Sequence, residues 1–292
     1  MKNFEIENLK VHAPIKLEER STFLKTSLSD EKKNEILNQY REELSQHQDI
    51  MYAQGKYAVL ICLQGMDTSG KDSLIREVFK EFNPRGVIVH SFKNPTELEL
   101  KHDFLWRHYL QLPARGKYAV FNRTYYENVL VTRVHPEYIL NEHIPGIEKV
   151  GDITPEFWDK RLRQINDFEK HLSENGTIIL KFFLHMSKEE QRERLLRRLE
   201  NEKHHWKFSP GDLKERELWK EYHECYEEAI NKTSTSYAPW YIIPSDDKET
   251  SRLLVAQVIH DKMMSLKGVK EPELSDEIKA NFALYKKMLR KN

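Results

Sequence analysis

The sequence specifies an α/β domain built on a mostly parallel sheet with helices on both faces. Three observations specify it. Five short apolar runs recur along the chain, at residues 57–64, 86–92, 117–122, 177–186 and 240–245. Helical segments with recognisable starts separate them, and strands joined through helices pair in parallel. No composition shift, internal repeat or Pro/Ser-rich linker divides the 292 residues, so one α/β domain with helical additions at each end fits better than two domains.

In chain order, residues 1–28 lack clear periodicity. Ser29, with Asp30 and Glu31 behind it, then opens a helix carrying Ile36, Leu37, Tyr40, Leu44 and Met51 at three- and four-residue steps. The first strong strand, YAVLICLQ, is followed by a glycine-containing turn and a helix-like LIREVFKEF. Thr154 before Pro155 and Glu156, Ser187 with Glu190 three residues on, and Asp212 with Glu215 read as later helix starts. Gly176 reads as the end of the helix before the fourth strand. At the C-terminus Ile278, Phe282, Tyr285 and Leu289 stand at helical spacing, as in a packing helix. The expected organisation is an N-terminal extension and helix over 1–54, the α/β domain over 55–267 with a lid at about 192–212, and a C-terminal helical extension over 268–292.

Composition narrows the function classes. Lys plus Arg and Asp plus Glu both total 47, so the chain is not coated in the positive charge of a general nucleic-acid or membrane binder, and any anion site must be local. The longest uninterrupted apolar run is Tyr57 to Leu63, too short for a membrane span, and the expected location is the cytoplasm. Cys62 and Cys225 lack metal-ligand spacing and read as structural thiols.

The most informative segment is Gly65-Met66-Asp67-Thr68-Ser69-Gly70-Lys71-Asp72-Ser73. It lies between a strand and a helix, as a phosphate-binding loop requires. Gly65 and Gly70 permit close backbone approach, so amide N–H groups and a helix N-terminus can face a phosphate. Lys71 adds a cation that can follow charge onto a transferring phosphoryl group. Asp72 replaces the hydroxyl residue that usually holds magnesium; it suits the helix N-terminus, and Asp67 offers the metal an oxygen ligand instead. The third strand ends in Asn122-Arg123, followed by Thr124, Tyr125, Tyr126 and Glu127. Ligand crevices open beyond the C-terminal ends of parallel strands, so Arg123 is expected to meet an acceptor phosphate, with Arg133 a weaker candidate and Glu127 reaching metal, ribose or an Arg. From Arg192 to Lys207 six Lys and Arg stand against three Glu. This run leaves a helix, passes His204-His205-Trp206 and precedes another, as a mobile cationic lid would.

Together GMDTSGKDS, FKNPTELELKHDFLWR, FNRTYYENVLVTR, KHHWKFSPGDLKERELWKEYHECYEEAI and APWYIIPSDDK resemble the polyphosphate kinase 2 family, most closely its class III branch, over roughly Ile36 to Ile259. The resemblance implies a three-layer P-loop kinase fold similar to thymidylate kinase, a helical lid, and reversible phosphoryl transfer between inorganic polyphosphate and nucleotides. It also implies dependence on magnesium, with manganese as its substitute, and a homo-oligomer (dimer or tetramer). AMP and ADP are the implied acceptors, with guanine nucleotides as further ones to test.

Carried over by residue, the resemblance assigns Asp67, Lys71 and Arg123 to catalysis, with Asp67 as the metal ligand and Gly65, Thr68, Ser69, Gly70, Asp72 and Ser73 completing the phosphate loop. Asn94, Asp103, Arg107, Asn122, Arg123, Glu127 and Arg133 fall on the nucleotide side, and Arg194, Arg197, Arg198, Lys203 and Lys207 in the lid. Many relatives carry Asp where this chain has Asn122; the neutral amide is expected to permit close approach of a monophosphate acceptor. No Ser/His/Asp or Cys/His constellation is present, so direct in-line attack by a nucleotide phosphate oxygen is the expected chemistry. Two other readings share the loop: an ATP-dependent nucleoside or nucleotide kinase, and a non-catalytic anion-binding module.

Overall fold

The computed structural model describes residues 4–12 and 14–290. Residues 1–3 and 13 of the N-terminal extension, and 291–292 of the C-terminal one, lie outside the described residues.

Helix α1 (Asp30–Gln54) begins where Ser29 Oγ accepts from the Lys32 amide and ends at Gly55, whose left-handed φ of 63° lets its amide reach Met51 O. The chain continues through β1 (Ala58–Gln64), α2 (Lys71–Val78), β2 (Val87–Ser91), two one-turn helices α3 (Glu97–Leu100) and α4 (Trp106–Tyr109), and β3 (Tyr118–Asn122). A short α5 (Val131–Val134), the long α6 (Pro155–Glu174), β4 (Thr177–His185), α7 (Lys188–Glu200), α8 (Pro210–Glu217), α9 (Trp219–Thr233), β5 (Trp240–Pro244) and α10 (Lys248–Met264) complete the domain. Two last helices, α11 (Asp276–Ala280) and α12 (Phe282–Leu289), follow it.

The five strands pair in the order β2-β3-β1-β4-β5, and every pairing is parallel. β1 occupies the centre because it is apolar on both faces. Val59, Ile61 and Leu63 join the core formed with α1, α2 and α10; Leu60 and Cys62 join the other, formed with α6 and α9. This is the three-layer arrangement, and all strands deliver their C-terminal ends to one edge. The aperiodic N-terminal segment covers the β5 edge of the sheet, where Val11 donates to Trp240 O at 2.9 Å and Lys10 forms an antiparallel bridge with Tyr241.

Two expected boundaries change. α8 starts at Pro210 under a Ser209 cap rather than at Asp212, because proline is preset for the first helical position and the Ser209 hydroxyl accepts from the Gly211 amide. At the C-terminus the expected single helix breaks at Asn281, and no residue of α11 or α12 is buried. Its apolar stripe, Ile278, Phe282, Tyr285 and Leu289, stays exposed because the polar stretch after α10 carries it away from the core.

Candidate functional site

Gly65 to Gly70 turn the chain from the end of β1 into α2. A side chain at Gly65 would meet Ser69 Oγ at 2.8 Å and Leu184 O at 3.0 Å, so only glycine fits there. Thr68 adopts a left-handed φ of 66°, unusual for a β-branched residue, and Gly70 caps α2 at φ 103°. Lys71 Nζ curls back onto the loop, donating to Gly65 O (2.6 Å), Met66 O (3.2 Å) and Ser69 Oγ (3.3 Å). Burial, reinforced by the nearby Arg123 cation, pulls its pKa down to about 8 against the attraction of Asp67, Glu127 and Asp72.

β3 ends beside β1, with Asn122 in register with Leu63. The next residue, Arg123, takes a left-handed φ of 62° while its amide donates to Leu63 O. Its guanidinium spans two acids: Nη2 reaches Asp67 Oδ1 at 2.5 Å and Nη1 reaches Glu127 Oε2 at 3.2 Å. A buried polar cluster holds the turn from below. Tyr125 and Tyr126 hydroxyls donate to Glu169 Oε1, while Lys181 Nζ donates to Glu169 Oε2 (2.6 Å) and the Tyr126 hydroxyl (2.9 Å). Burial raises the Glu169 pKa and lowers that of Lys181, and in each the partner's charge opposes the shift. On the other side, Asn122 Nδ2 donates to Asp72 Oδ1 at 2.6 Å and to Ser91 Oγ at 3.3 Å.

Two large cavities open at this edge. One, of about 680 Å³, is walled by Phe92, Asn94, Pro95, Arg107, Thr132, Tyr138, Asn141 and Glu127. Apolar and amide groups together suit a nucleoside. The other, of about 490 Å³, runs over the phosphate loop between α7, the 204–212 segment and α10, and is lined by nine Lys and Arg side chains against three Asp. A chain of zero net charge therefore carries a local excess of cations in this groove. Arg123 is the only described residue that lines both cavities.

The residues expected at the site divide. Gly70, Lys71, Asp67, Thr68, Ser69, Asp72, Ser73, Arg197, Arg198 and Lys207 line the cationic groove; Asn94, Arg107 and Glu127 line the other cavity. Gly65 lies just beneath, in a small pocket with Asp67 and Arg123. Asn122 lines the cationic groove rather than the nucleoside-sized cavity, since its side chain turns toward Asp72. Arg133 is drawn away to Glu228 of α9 at 2.5 Å, Asp103 caps a turn by accepting from the Leu105 amide, and Lys203 lines neither large cavity. Arg194 borders the groove, yet it is buried with its guanidinium on backbone carbonyls. Three groove cations escaped the sequence reading: Arg76, Lys248 and Arg252. Lys248 opens the helix after β5, so the signal was its place beyond another parallel strand's C-terminal end.

Among the described residues no group of three or more His, Cys, Asp or Glu is disposed to hold a metal alone. Magnesium is commonly held by one or two carboxylates together with substrate phosphate oxygens. Asp67 and Glu127, flanking Arg123, supply that donor chemistry, so the residues present fit an ion carried with the phosphates.

The chain matches the family model described as polyphosphate kinase 2 over residues 27–271. It is 49% identical over 239 residues to a Rhodopseudomonas palustris protein named ADP-polyphosphate phosphotransferase, covering 82% of each chain. It is 45% identical over 243 residues to a Meiothermus ruber protein named AMP/ADP-polyphosphate phosphotransferase, covering 83% of this chain and 84% of that one. The crystal structure of polyphosphate kinase 2 from Arthrobacter aurescens TC1 superposes with a TM-score of 0.87 at 34% identity, covering 96% of both chains. With a glycine-bounded loop at the C-terminal edge of a parallel sheet, a cationic groove over it and a match spanning most of the sequence, the chain belongs to the polyphosphate kinase 2 family.

Proposed function

We propose that this chain moves the terminal phosphoryl group of inorganic polyphosphate onto AMP and ADP, reversibly and with magnesium, by direct in-line transfer. The observation that carries the reading is the position of Arg123, which lines both the cationic groove and the nucleoside-sized cavity. A polyanion in the groove and a nucleotide in the cavity would meet at its guanidinium. Asp67 and Glu127 already orient that guanidinium from both sides. Lys71, Arg198, Lys207, Lys248 and Arg252 oppose the charge of the donor chain, and Asn94 and Arg107 shape the acceptor side. Bound magnesium, held by Asp67 and the phosphates, would neutralise charge on the transferring group.

The 192–212 segment serves in this reading as a lid that brings Arg197 and Arg198 over the donor and excludes water. The names of the two relatives above support AMP and ADP as acceptors. Guanine nucleotides as further acceptors, a dimer or tetramer, and a cytoplasmic setting complete the reading. Among the described residues no helix is long and apolar enough to cross a membrane.

The test is an assay with long-chain polyphosphate as sole phosphate donor, AMP or ADP as acceptor, and magnesium present or chelated. ADP and ATP should form only with the metal. Phosphorylation that requires ATP and ignores polyphosphate would sink the proposal; light scattering reports the subunit number.

A further inference from the structure

Three consecutive carbonyls of the phosphate loop are directed at one helix. From α7, Gln191 Nε2 donates to Asp67 O at 3.0 Å, and Arg194 Nη1 donates to Thr68 O at 3.1 Å and Ser69 O at 2.9 Å. The other guanidinium nitrogen, Nη2, reaches Ser245 O at 2.5 Å, which ties the loop to the end of β5. Both side chains are nearly sealed from solvent, at 1% exposure for Gln191 and 4% for Arg194. They stand three residues apart and so share a helix face.

A peptide unit is planar, with its carbonyl and the following amide pointing in opposite directions. Fixing the carbonyls of Asp67 and Ser69 on α7 therefore turns the Thr68 and Gly70 amides to the side away from that helix. The Ser69 amide is used within the turn, on Met66 O at 3.1 Å. Thr68 is held in a left-handed backbone conformation, which persists only where its surroundings over-determine it. Two buried donors on a neighbouring helix supply that determination. The contact continues outward: Arg216 of α8 donates to Gln191 Oε1 at 2.8 Å, and Glu190 Oε1 accepts from Arg194 Nε at 2.7 Å and Arg197 Nη2 at 2.8 Å.

We infer that Gln191 and Arg194 are positioning residues that hold the phosphate loop in its anion-accepting shape from behind, acting through its carbonyls rather than on substrate. The inference rests on the phosphoryl-transfer reading for its rate readout but not for its binding readout. Gln191→Met keeps the size of the side chain and removes the donor; Arg194→Ala removes four carbonyl contacts at once, two of them on the loop. Misplacing the loop should lower kcat by about 10-fold in Gln191→Met and about 100-fold in Arg194→Ala, with KM for the nucleotide unchanged. Guanidinium ion, and not sodium at equal ionic strength, should restore part of the Arg194→Ala loss. Arg216→Ala, which removes the outer contact to Gln191 and a bond to Lys188 O but none to the loop, should give a smaller loss of the same kind.

Calorimetric titration with tripolyphosphate reads loop shape without turnover, and affinity should fall in both Gln191→Met and Arg194→Ala. If the wild type binds tripolyphosphate but does not phosphorylate nucleotides, the functional reading fails while this inference is still decided by binding. If Arg194→Ala does not fold, Gln191→Met decides. Wild-type affinity and wild-type kcat in a folded Gln191→Met, or a folded Arg194→Ala that guanidinium does not rescue, overturns the inference.

Discussion

Replacing Asn122 with Asp exchanges a donor for a charge at nearly constant shape. Asn122 Nδ2 lies 2.6 Å from Asp72 Oδ1, and Asn122 Oδ1 is buried without a hydrogen-bond partner. Two carboxylates with charge centres ~4 Å apart repel by about 1 kcal/mol in bulk water and about 4 kcal/mol at an effective dielectric of ~20. Asp72 is exposed and Asn122 buried, which puts the pair between these limits at about 2 kcal/mol. Like-charge repulsion then favours a proton shared by the pair in the folded variant. The folded variant holds that proton more tightly than the unfolded chain. Its destabilisation is therefore absent where the carboxyls are protonated in acid and present in full near neutral pH, where the melting temperature should fall by about 3 °C.

The same charge faces the cationic groove, not the nucleoside-sized cavity. At ~7 Å from a donor phosphate and an effective dielectric of 20–40 it costs about 1–2.4 kcal/mol, roughly 5- to 60-fold in KM for polyphosphate. The close approach of AMP expected from the sequence placed Asn122 beside the acceptor; on the donor side, it should affect AMP and ADP alike. Initial rates with each acceptor, polyphosphate varied and free magnesium fixed, give the answer. A selective loss with AMP at unchanged polyphosphate KM would return Asn122 to the acceptor side and refute the reasoning.

Lys71→Ala should lower turnover by roughly 100- to 1000-fold while leaving the melting temperature near wild type, and a folded variant with near-normal rates would remove Lys71 from the machinery. Because Lys71 titrates at about 8 in the free protein, its charge is present below that pH and lost above it. Tripolyphosphate affinity should then weaken as pH rises from 8 to 9.5, and Lys71→Arg should flatten the dependence; parallel profiles for the two proteins would contradict this. Replacing Arg198, Lys248 and Arg252 together by Ala should raise KM more for long polyphosphate than for short, as should salt, since screening acts over about 8–10 Å. Equal losses with both donors would take these cations out of the donor track. Lys181→Met leaves Glu169 buried and unpaired and should cost about 3–5 kcal/mol of stability, much of it recovered in Lys181→Met with Glu169→Leu; equal melting temperatures for single variant and wild type would show the pair to be dispensable.

The strands were legible because each is a β-branched or aromatic run bounded by turn residues, and all five lie within two residues of their expected limits. Caps at Ser29 and Ser187, and Gly176 after α6, were legible for the same local reason. What depended on distant partners was not. Glu190 has the spacing of a capping box, yet its carboxylate turns to Arg194 and Arg197. Arg194 sits in a charge run like its neighbours, and only the approach of the phosphate loop to α7 distinguishes a guanidinium bonded to carbonyls from one facing a polyanion. Lys248 and Arg252 join the groove through sheet order, which local periodicity does not encode. The C-terminal stripe announces an apolar face without saying what covers it.

The central place of β1 has a consequence for synthesis. It is the first strand to leave the ribosome, while its neighbours β3 and β4 come later. The hydrogen bonds that seat the phosphate loop come from side chains 124–126 residues further along. At ~5–20 residues per second, the loop sequence is outside and unbraced for roughly 6–25 s. For most of that interval β1 lacks at least one of its two neighbouring strands, β3 and β4, and such long-range parallel pairing is slow to form. The growing chain therefore passes through a stage in which its most apolar strand is available to chaperones and to aggregation, before it can grip a phosphate.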